Sequence, residues 1–166
     1  DSLYYITHAR QENTYLVYVR AKGYIYKDTL IHIPNAAAEL TYTIPLSALQ
    51  KEMVLQLRNI QFDHNSSVLT PSSYAELDKL VKLMQDNPSM QIELSAHTDD
   101  VGSEQYNMRL SQQRGESVRK YLIRKGVDAK RIIAKGYGKN KPLVPNDSDE
   151  NRAINRRVEF TINEIE

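Results

Sequence analysis

Between residues 54 and 163 the apolar side chains change their period several times, and this constrains the fold more than any other feature. Residues 90–96 alternate apolar with polar side chains, as expected for a strand with one buried face. On either side, residues 70–87 and 103–126 carry apolar side chains at helical spacing. Three shorter segments have the residue types of strands: 55–62, 132–136 and 158–162. The order strand, helix, strand, helix, strand, strand predicts an α+β fold, a βαβαββ layer in which a mixed sheet carries helices on one face.

Residues with known capping preferences bound the two predicted helices. Thr70 is suited to the N-cap of the first helix, with Pro71 at its first helical position. The second helix is predicted to begin near Ser103 and to stop at Gly126, directly after two basic residues. A further helical turn is expected at residues 150–155, before the last strand.

The first part of the chain differs in its residue types and is predicted to be a short all-β region. Strands are expected at residues 14–19, 24–33 and 40–44, which are rich in β-branched and aromatic side chains and separated by Gly and Pro. We therefore divide the chain into a partial β-rich region, residues 1–53, and an α+β domain, residues 54–166.

Composition excludes several classes of protein. The formal net charge of the 166 residues is +1, which provides no bulk electrostatic attraction for nucleic acid. The chain has no Cys, so it has no disulfide framework, thiolate zinc site or cysteine nucleophile. No apolar run approaches the roughly 18–20 residues of a membrane-spanning helix.

The segment AHTDDVG, residues 96–102, places an imidazole, a hydroxyl and two carboxylates at the end of the strand predicted at residues 90–96. It could be a catalytic centre, a metal site or a receptor for a positively charged group. Catalysis by a Ser-His-Asp site is disfavoured because no G-x-S-x-G turn occurs in the chain. Asp99 and Asp100 are adjacent, so in an extended segment they point to opposite faces and do not flank one bond.

The same segment could also bind a metal ion or have a purely structural role. His97 and Asp99 could share a metal ion with His64, but no dense cluster has recognised zinc spacing. His97 could equally be a half-buried histidine that holds the loop. Asp99 could be a solvated carboxylate or a cap, because a carboxylate before a helix is favoured by the helix dipole.

The second predicted helix adds an arginine to this picture. Arg114 lies about two turns after Asn107, on a stripe that also contains Leu110 and Val118. A guanidinium on a buried stripe must be paired or must line a pocket. It could pair with Asp99, or the two could bracket a zwitterion, with an ammonium against the carboxylate and a carboxylate against the guanidinium.

The motif HTDxxGxxxxNxxLSxxR, residues 97–114, resembles the signature of the OmpA-like C-terminal domain, the peptidoglycan-associated module of Gram-negative envelopes. Further segments resemble other parts of that family in the same order: 60–63, 67–71, 136–138 and 151–159. The resemblance covers residues 54–163, approximately the whole of the predicted α+β domain.

This resemblance implies a non-catalytic module that binds the diaminopimelate of the peptidoglycan stem peptide, without metal or cofactor. Asp99 corresponds to the carboxylate that receives the diaminopimelate ammonium, and Arg114 to the arginine that receives its carboxylate. Five other residues correspond to positions around the pocket: Thr98, Asn107, Asp63, Leu110 and Arg156. Leu110 would form part of an apolar wall, and Asp63 would border the pocket together with His64.

The implied location is the periplasmic face of the outer membrane, and the implied partner is peptidoglycan. Association with the outer membrane would come from parts of the protein outside these residues. Two different functions remain open: a flagellar-stator-like wall anchor, and an envelope hydrolase that uses His97 and Asp99.

The sequence departs from the family pattern at two positions. Ala96 stands where Gly usually precedes the His-Thr-Asp motif, and Gly115 stands where Ala usually follows the arginine. Neither change removes a charge. Before residue 54 the resemblance is of another kind: residues 18–24 and 31–34 resemble the end of a carboxypeptidase-regulatory-like or transthyretin-like β domain.

Overall fold

The computed structural model describes residues 13–34, 41–63 and 65–165. The chain divides into two compact units, Asp1–Leu49 and Gln50–Glu166. Residues 50–53, which the sequence assigns to the first region, belong to the second unit. The physical reason is backbone pairing, since Glu52 N donates to Ile162 O (2.7 Å) and Ile162 N donates to Met53 O (3.0 Å).

The described part of the first unit contains an antiparallel pair, β1 (Asn13–Val19) and β2 (Lys27–Ile33). These two strands overlap the strands predicted at residues 14–19 and 24–33. Between β1 and β2 the chain reverses direction through Gly23, at φ +80°. The prediction of a third strand at residues 40–44 is wrong over residues 41–44. These four residues lie in no strand. Leu40 lies outside the described residues. Tyr42 instead donates a side-chain hydrogen bond to the carbonyl oxygen of His32.

The second unit is a four-stranded mixed sheet with helices, as predicted. Its strands are β3 (Val54–Leu57), β4 (Gln91–His97), β5 (Ile132–Gly138) and β6 (Val158–Glu164). Its helices are α1 (Tyr74–Asp86), α2 (Glu104–Arg124) and α3 (Asp149–Asn155), with 3₁₀ turns at Pro71–Ser73 and Ala129–Arg131. The strand order is β3-β6-β4-β5, in which only the β4–β5 pair is parallel. The parallel neighbours β4 and β5 are joined by α2, so the C-terminal end of β4 leads directly into the loop that precedes α2.

The core forms where the apolar sides of α1 and α2 meet the face of the sheet that carries Ile92, Leu94 and Ala96. These residues and the following side chains are at most 2% exposed: Leu77, Leu80, Met84, Val118, Leu122, Phe160 and Ile162. Burial of this set confirms the two periodicities read from the sequence. None of the described helices is long and apolar enough to cross a membrane.

The predicted helix limits are largely confirmed. Ser103 Oγ accepts a hydrogen bond from Tyr106 N (3.2 Å), and Gly126 follows the end of α2 at φ +93°. Thr70 lies at the N-cap of the 3₁₀ turn that begins with Pro71, but its side chain makes no capping hydrogen bond. The α-helix itself begins only at Tyr74.

The predicted strand at residues 55–62 is too long. It ends at Leu57, because Asn59 adopts φ +58°, which is incompatible with an extended ladder. The chain resumes extended pairing only at Phe62, which forms an isolated bridge with Leu69. The break displaces Phe62 from the sheet and makes it part of a loop that contacts α2.

The edge strand β5 is covered by side chains of α2. Gln112 Nε2 donates to Ala134 O (3.1 Å), and Gln112 Oε1 accepts from Gly136 N (2.8 Å). Arg119 Nε donates to Ile132 O (2.9 Å). Gly136 is required by this close approach, because a Cβ there would lie 2.3 Å from Gln112 N. Unpaired strand edges promote pairing with other chains, and α2 therefore protects this edge.

Candidate functional site

The loop between β4 and α2 is held by two buried polar residues. Thr98 Oγ1 donates to Asp99 O (3.0 Å), and Thr98 N donates to Gly138 O (2.9 Å). Asn107, from the first turn of α2, donates to Val101 O (3.0 Å). Thr98 and Asn107 are only 4% and 2% exposed. Both residues therefore shape the loop, and a direct contact of either with a ligand stays a prediction.

Asp99 is held in a defined position in this loop. Its Oδ1 accepts a hydrogen bond from Val101 N (3.1 Å), and its Oδ2 lies 2.6 Å from Arg156 Nη1. Its side chain retains 13% exposure. A second ion pair ties the same loop to α3, with Asp100 Oδ1 at 3.1 Å from Arg152 Nε. Each oxygen of Asp99 thus has one protein partner and a remaining lone pair for another donor.

Arg114 projects from α2 towards the loop that follows Phe62. Its Nε donates to Ser66 O (3.0 Å), and its guanidinium carbon lies 4.9 Å from the centroid of the Phe62 ring. Burial lowers the pKa of Arg114, while Tyr106 and Asp99 act in the opposite direction. Arginine nevertheless stays charged at any physiological pH. Among the described residues, no carboxylate pairs with Arg114, and its two terminal amino groups have no hydrogen-bond partner.

The structure therefore answers one question that the sequence left open. Asp99 pairs with Arg156 rather than with Arg114, although Asp99 is close enough to affect the pKa of Arg114. One carboxylate and two guanidinium groups give the cluster a net charge of +1. The arrangement can receive a carboxylate at the free amino groups of Arg114, and it offers lone pairs of Asp99 to an ammonium group.

The other predicted pocket residues occupy supporting positions. Leu110 is 7% exposed and belongs to the buried side of α2. Asp63 is exposed, and its backbone closes the 63–68 loop, since Asp63 N donates to Val68 O (3.0 Å) and Asp63 O accepts from Ser66 N (3.1 Å). This loop presents the Ser66 carbonyl to Arg114. His64 lies outside the described residues.

His97 is turned towards β5 and β6. Its ring stacks on Tyr137 at 5.3 Å, and Nε2 lies 3.2 Å from Glu159 Oε1, although neither ring nitrogen is aligned for a hydrogen bond. Burial, and then the charge of Arg157, lower the pKa of His97 to about 4, against an opposing effect of Glu159. His97 is thus a neutral, buried histidine at physiological pH, more buried than the half-buried residue expected from sequence.

The surroundings of His97 in the described part of the chain bear on both metal binding and catalysis. No group of three His, Asp or Glu side chains there could hold a metal ion. The contacts of His97 are with Tyr137, Glu159 and Arg157, and no hydroxyl nucleophile is hydrogen-bonded to it in this part of the chain.

Sequence reasoning missed two elements of the site. In the sequence Phe62 is only one residue of a motif, and its contact with Arg114 depends on the break at Asn59. Ser66 acts through its backbone carbonyl, which any residue carries, so no sequence signal could identify it.

The two positions that depart from the family pattern lie against each other. A Cβ on Gly115 would be 3.8 Å from Cβ of Ala96 and 3.6 Å from Cβ of Ala134, both ordinary contacts. The methyl group of Ala96 therefore borders the space beside α2 and leaves room for an alanine at position 115.

A family model described as "OmpA family" matches residues 61–156. Outer membrane porin F of Pseudomonas aeruginosa is 35% identical over 136 residues, which are 81% of this chain and 39% of the porin. The chain thus spans well under half of that relative. Among solved structures, a MotB-like protein from Desulfovibrio vulgaris is 34% identical with a TM-score of 0.61, covering 68% of this chain and 73% of that one. The peptidoglycan-associated lipoprotein of Burkholderia pseudomallei is 29% identical with a TM-score of 0.58, covering 62% and 87%.

Proposed function

This chain belongs to the OmpA family, and from that premise we propose that its second unit binds peptidoglycan without catalysis and anchors the protein that carries it to the cell wall. The ligand is the diaminopimelate of the stem peptide. The observation that carries the proposal is the half-buried guanidinium of Arg114, which has terminal amino groups without a partner among the described residues and lies near Asp99.

The chemistry of the proposed ligand matches that of the cluster. The side-chain end of diaminopimelate bears an ammonium and a carboxylate on one carbon. The planar fork of Arg114 suits the carboxylate, and Asp99 suits the ammonium. Because the cluster has a net charge of +1, the carboxylate contact is expected to contribute more to affinity than the ammonium contact.

Arg156 has a specific role in this proposal. In the free protein its Nη1 lies 2.6 Å from Asp99 Oδ2, so it holds the carboxylate in place. An arriving ammonium shares Asp99 with Arg156 through the remaining lone pairs. The carboxylate of the ligand then lies between two guanidinium groups, which compensates for the added positive charge.

The proposed location is the periplasm, at the inner side of the outer membrane. The similarity to porin F and to a peptidoglycan-associated lipoprotein supports this location. The second candidate, a stator-like anchor, is supported by the likeness to a MotB-like protein. Fractionation of the full-length protein separates the two, since an outer-membrane anchor follows outer-membrane fractions and a stator follows the cytoplasmic membrane.

Cosedimentation with purified, insoluble peptidoglycan tests the proposal. The variants are Asp99→Asn and Arg114→Lys, which preserve size and limit damage to the fold, and the control is Arg109→Ala, an exposed arginine of the same helix. Loss of one partner of a desolvated charge pair costs roughly 2–5 kcal/mol, which abolishes a weak interaction. The wild type and Arg109→Ala should sediment with the wall and the other two should not. Equal sedimentation of all four proteins would refute the site.

A further inference from the structure

A groove of about 530 Å³ runs along α2 within the second unit. One side is the loop at residues 67–69 together with Tyr74 at the start of α1. The other side is a face of α2 formed by four residues: Ser117, Lys120, Ile123 and Arg124.

The groove begins where Arg114 is held. Ser67 follows Ser66, the residue whose carbonyl accepts from Arg114 Nε, and Ser117 lies about one helical turn after Arg114. With a rise of about 1.5 Å per residue, Lys120 and Arg124 lie about 9 and 15 Å along the helix axis from Arg114. An extended peptide advances about 3.4 Å per residue, so a few residues span this distance and a single amino acid does not.

The groove is apolar on the side formed by Val68 and Tyr74 and basic at its far end. Val68 is 59% exposed and Tyr74 is 39% exposed, so both present apolar surface to the groove. Tyr74 is fixed by stacking on Tyr121, with ring centroids 5.2 Å apart and planes at 10°. The groove therefore offers a rigid apolar surface beside the proposed binding site.

The two cations of the groove differ from their neighbour Lys125. Lys125 Nζ lies 2.9 Å from Asp78 Oδ1, so its charge is compensated. Lys120 and Arg124 are exposed, and among the described residues neither is paired with a carboxylate. Arg124 contacts only the ring of Tyr121, at 5.9 Å, within this part of the chain. The groove thus has an uncompensated positive charge of two, which favours an anionic occupant.

We propose that this groove is a second binding site for the same wall fragment, in which Lys120 and Arg124 bind a carboxylate of the stem peptide beyond the residue held at Arg114. The inference rests on the proposed function. A stem peptide that is not cross-linked ends in a free carboxylate, and its aliphatic side chains suit the surface formed by Val68 and Tyr74. The groove gives the protein a preference for extended wall peptides over free diaminopimelate.

Calorimetric titration with two ligands tests this proposal: free diaminopimelate and a soluble stem tetrapeptide that contains it. The variant is Lys120→Ala/Arg124→Ala. The matched control is Lys82→Ala/Lys130→Ala, which removes the same charge from exposed positions that do not line the groove. Two exposed charge contacts are worth roughly a threefold to tenfold change in affinity. The affinity for the tetrapeptide should fall by this factor in the groove variant only. Free diaminopimelate should bind all three proteins with equal affinity.

Several results would overturn the assignment. The groove is not used if the tetrapeptide binds the groove variant as tightly as the wild type, or binds the wild type no more tightly than free diaminopimelate does. Equal weakening of both ligands would indicate a general electrostatic effect. Vesicles of anionic phospholipid that bind the wild type but not the groove variant would assign the groove to lipid headgroups. If the wild type binds neither ligand, the proposed function itself fails.

Discussion

The buried imidazole of His97 should make the second unit lose stability in mild acid. In the folded protein burial and Arg157 hold the pKa of His97 at about 4, whereas its ordinary value is 6.5. Between these values the unfolded chain binds a proton that the folded protein does not, so the free energy of unfolding falls as the pH falls. The side chain of His97 is only 1% exposed, so solvent screening does little to reduce the effect.

The magnitude follows from the two pKa values. Lowering the pH from 7.5 to 5.0 crosses about 1.5 units of the interval, and each unit is worth about 1.4 kcal/mol, so the expected loss is about 2 kcal/mol. The charged groups that face His97 are Glu159, Arg157 and Lys141, and Tyr137 stacks on its ring.

Urea unfolding followed by circular dichroism at 222 nm measures this effect, because every helix in the described part of the chain belongs to the second unit. His97→Gln removes the titration, and His32→Gln, an exposed histidine of the first unit, is the control. The difference in unfolding free energy between wild type and His97→Gln should change by about 2 kcal/mol over the pH range. A difference that stays constant would refute the reasoning, as would loss of the slope in His32→Gln.

Three substitutions test the packing between α2 and the sheet, and the same urea unfolding measures the free energy of unfolding of each variant. One substitution should stabilise the fold and two should destabilise it. Gly115→Ala should stabilise by about 0.5–1 kcal/mol, since Gly is costly inside a helix and the added methyl meets only ordinary contacts; a loss of stability would show that the space is smaller than observed. Gly136→Ala should destabilise by more than about 2 kcal/mol, because its Cβ would lie 2.3 Å from Gln112 N; a neutral result would contradict the close approach. Gln112→Ala should cost about 1–2 kcal/mol by leaving Ala134 O and Gly136 N without their partner, whereas the exposed neighbour Gln113→Ala should be nearly neutral.

The fold of the second unit was accessible from sequence because each element carries its own periodic signal. The alternation at residues 90–96 and the helical spacing on either side of it have one consistent solution, and the observed core uses those residues. The failures occurred where no period exists. The strand break at Asn59 depends on one backbone angle, and residues 41–44 have strand-like side chains but join no strand.

The candidate site was accessible only in part. Residue type and position predict Asp99 and Arg114 as binding residues, and their contact with a ligand stays a prediction. The structure holds the two near each other without a direct ion pair. The pairing of Asp99 with Arg156 could not be deduced from spacing, since it joins residues 57 positions apart through the packing of α3. Likewise the Arg114 contacts with Phe62 and Ser66 arise from tertiary structure and from a backbone carbonyl.

The most direct test of the central claim compares two soluble stem tetrapeptides, one with diaminopimelate and one with lysine in its place, as ligands of the wild type and of Arg114→Ala by isothermal titration. Within the peptide, lysine keeps the side-chain ammonium but lacks the carboxylate on the same carbon. If Arg114 receives that carboxylate, the wild type should prefer diaminopimelate by at least about tenfold, equivalent to about 1.4 kcal/mol, and Arg114→Ala should bind the two ligands alike. A preference for diaminopimelate that persists in Arg114→Ala, or a wild type that does not distinguish the two, would contradict the account.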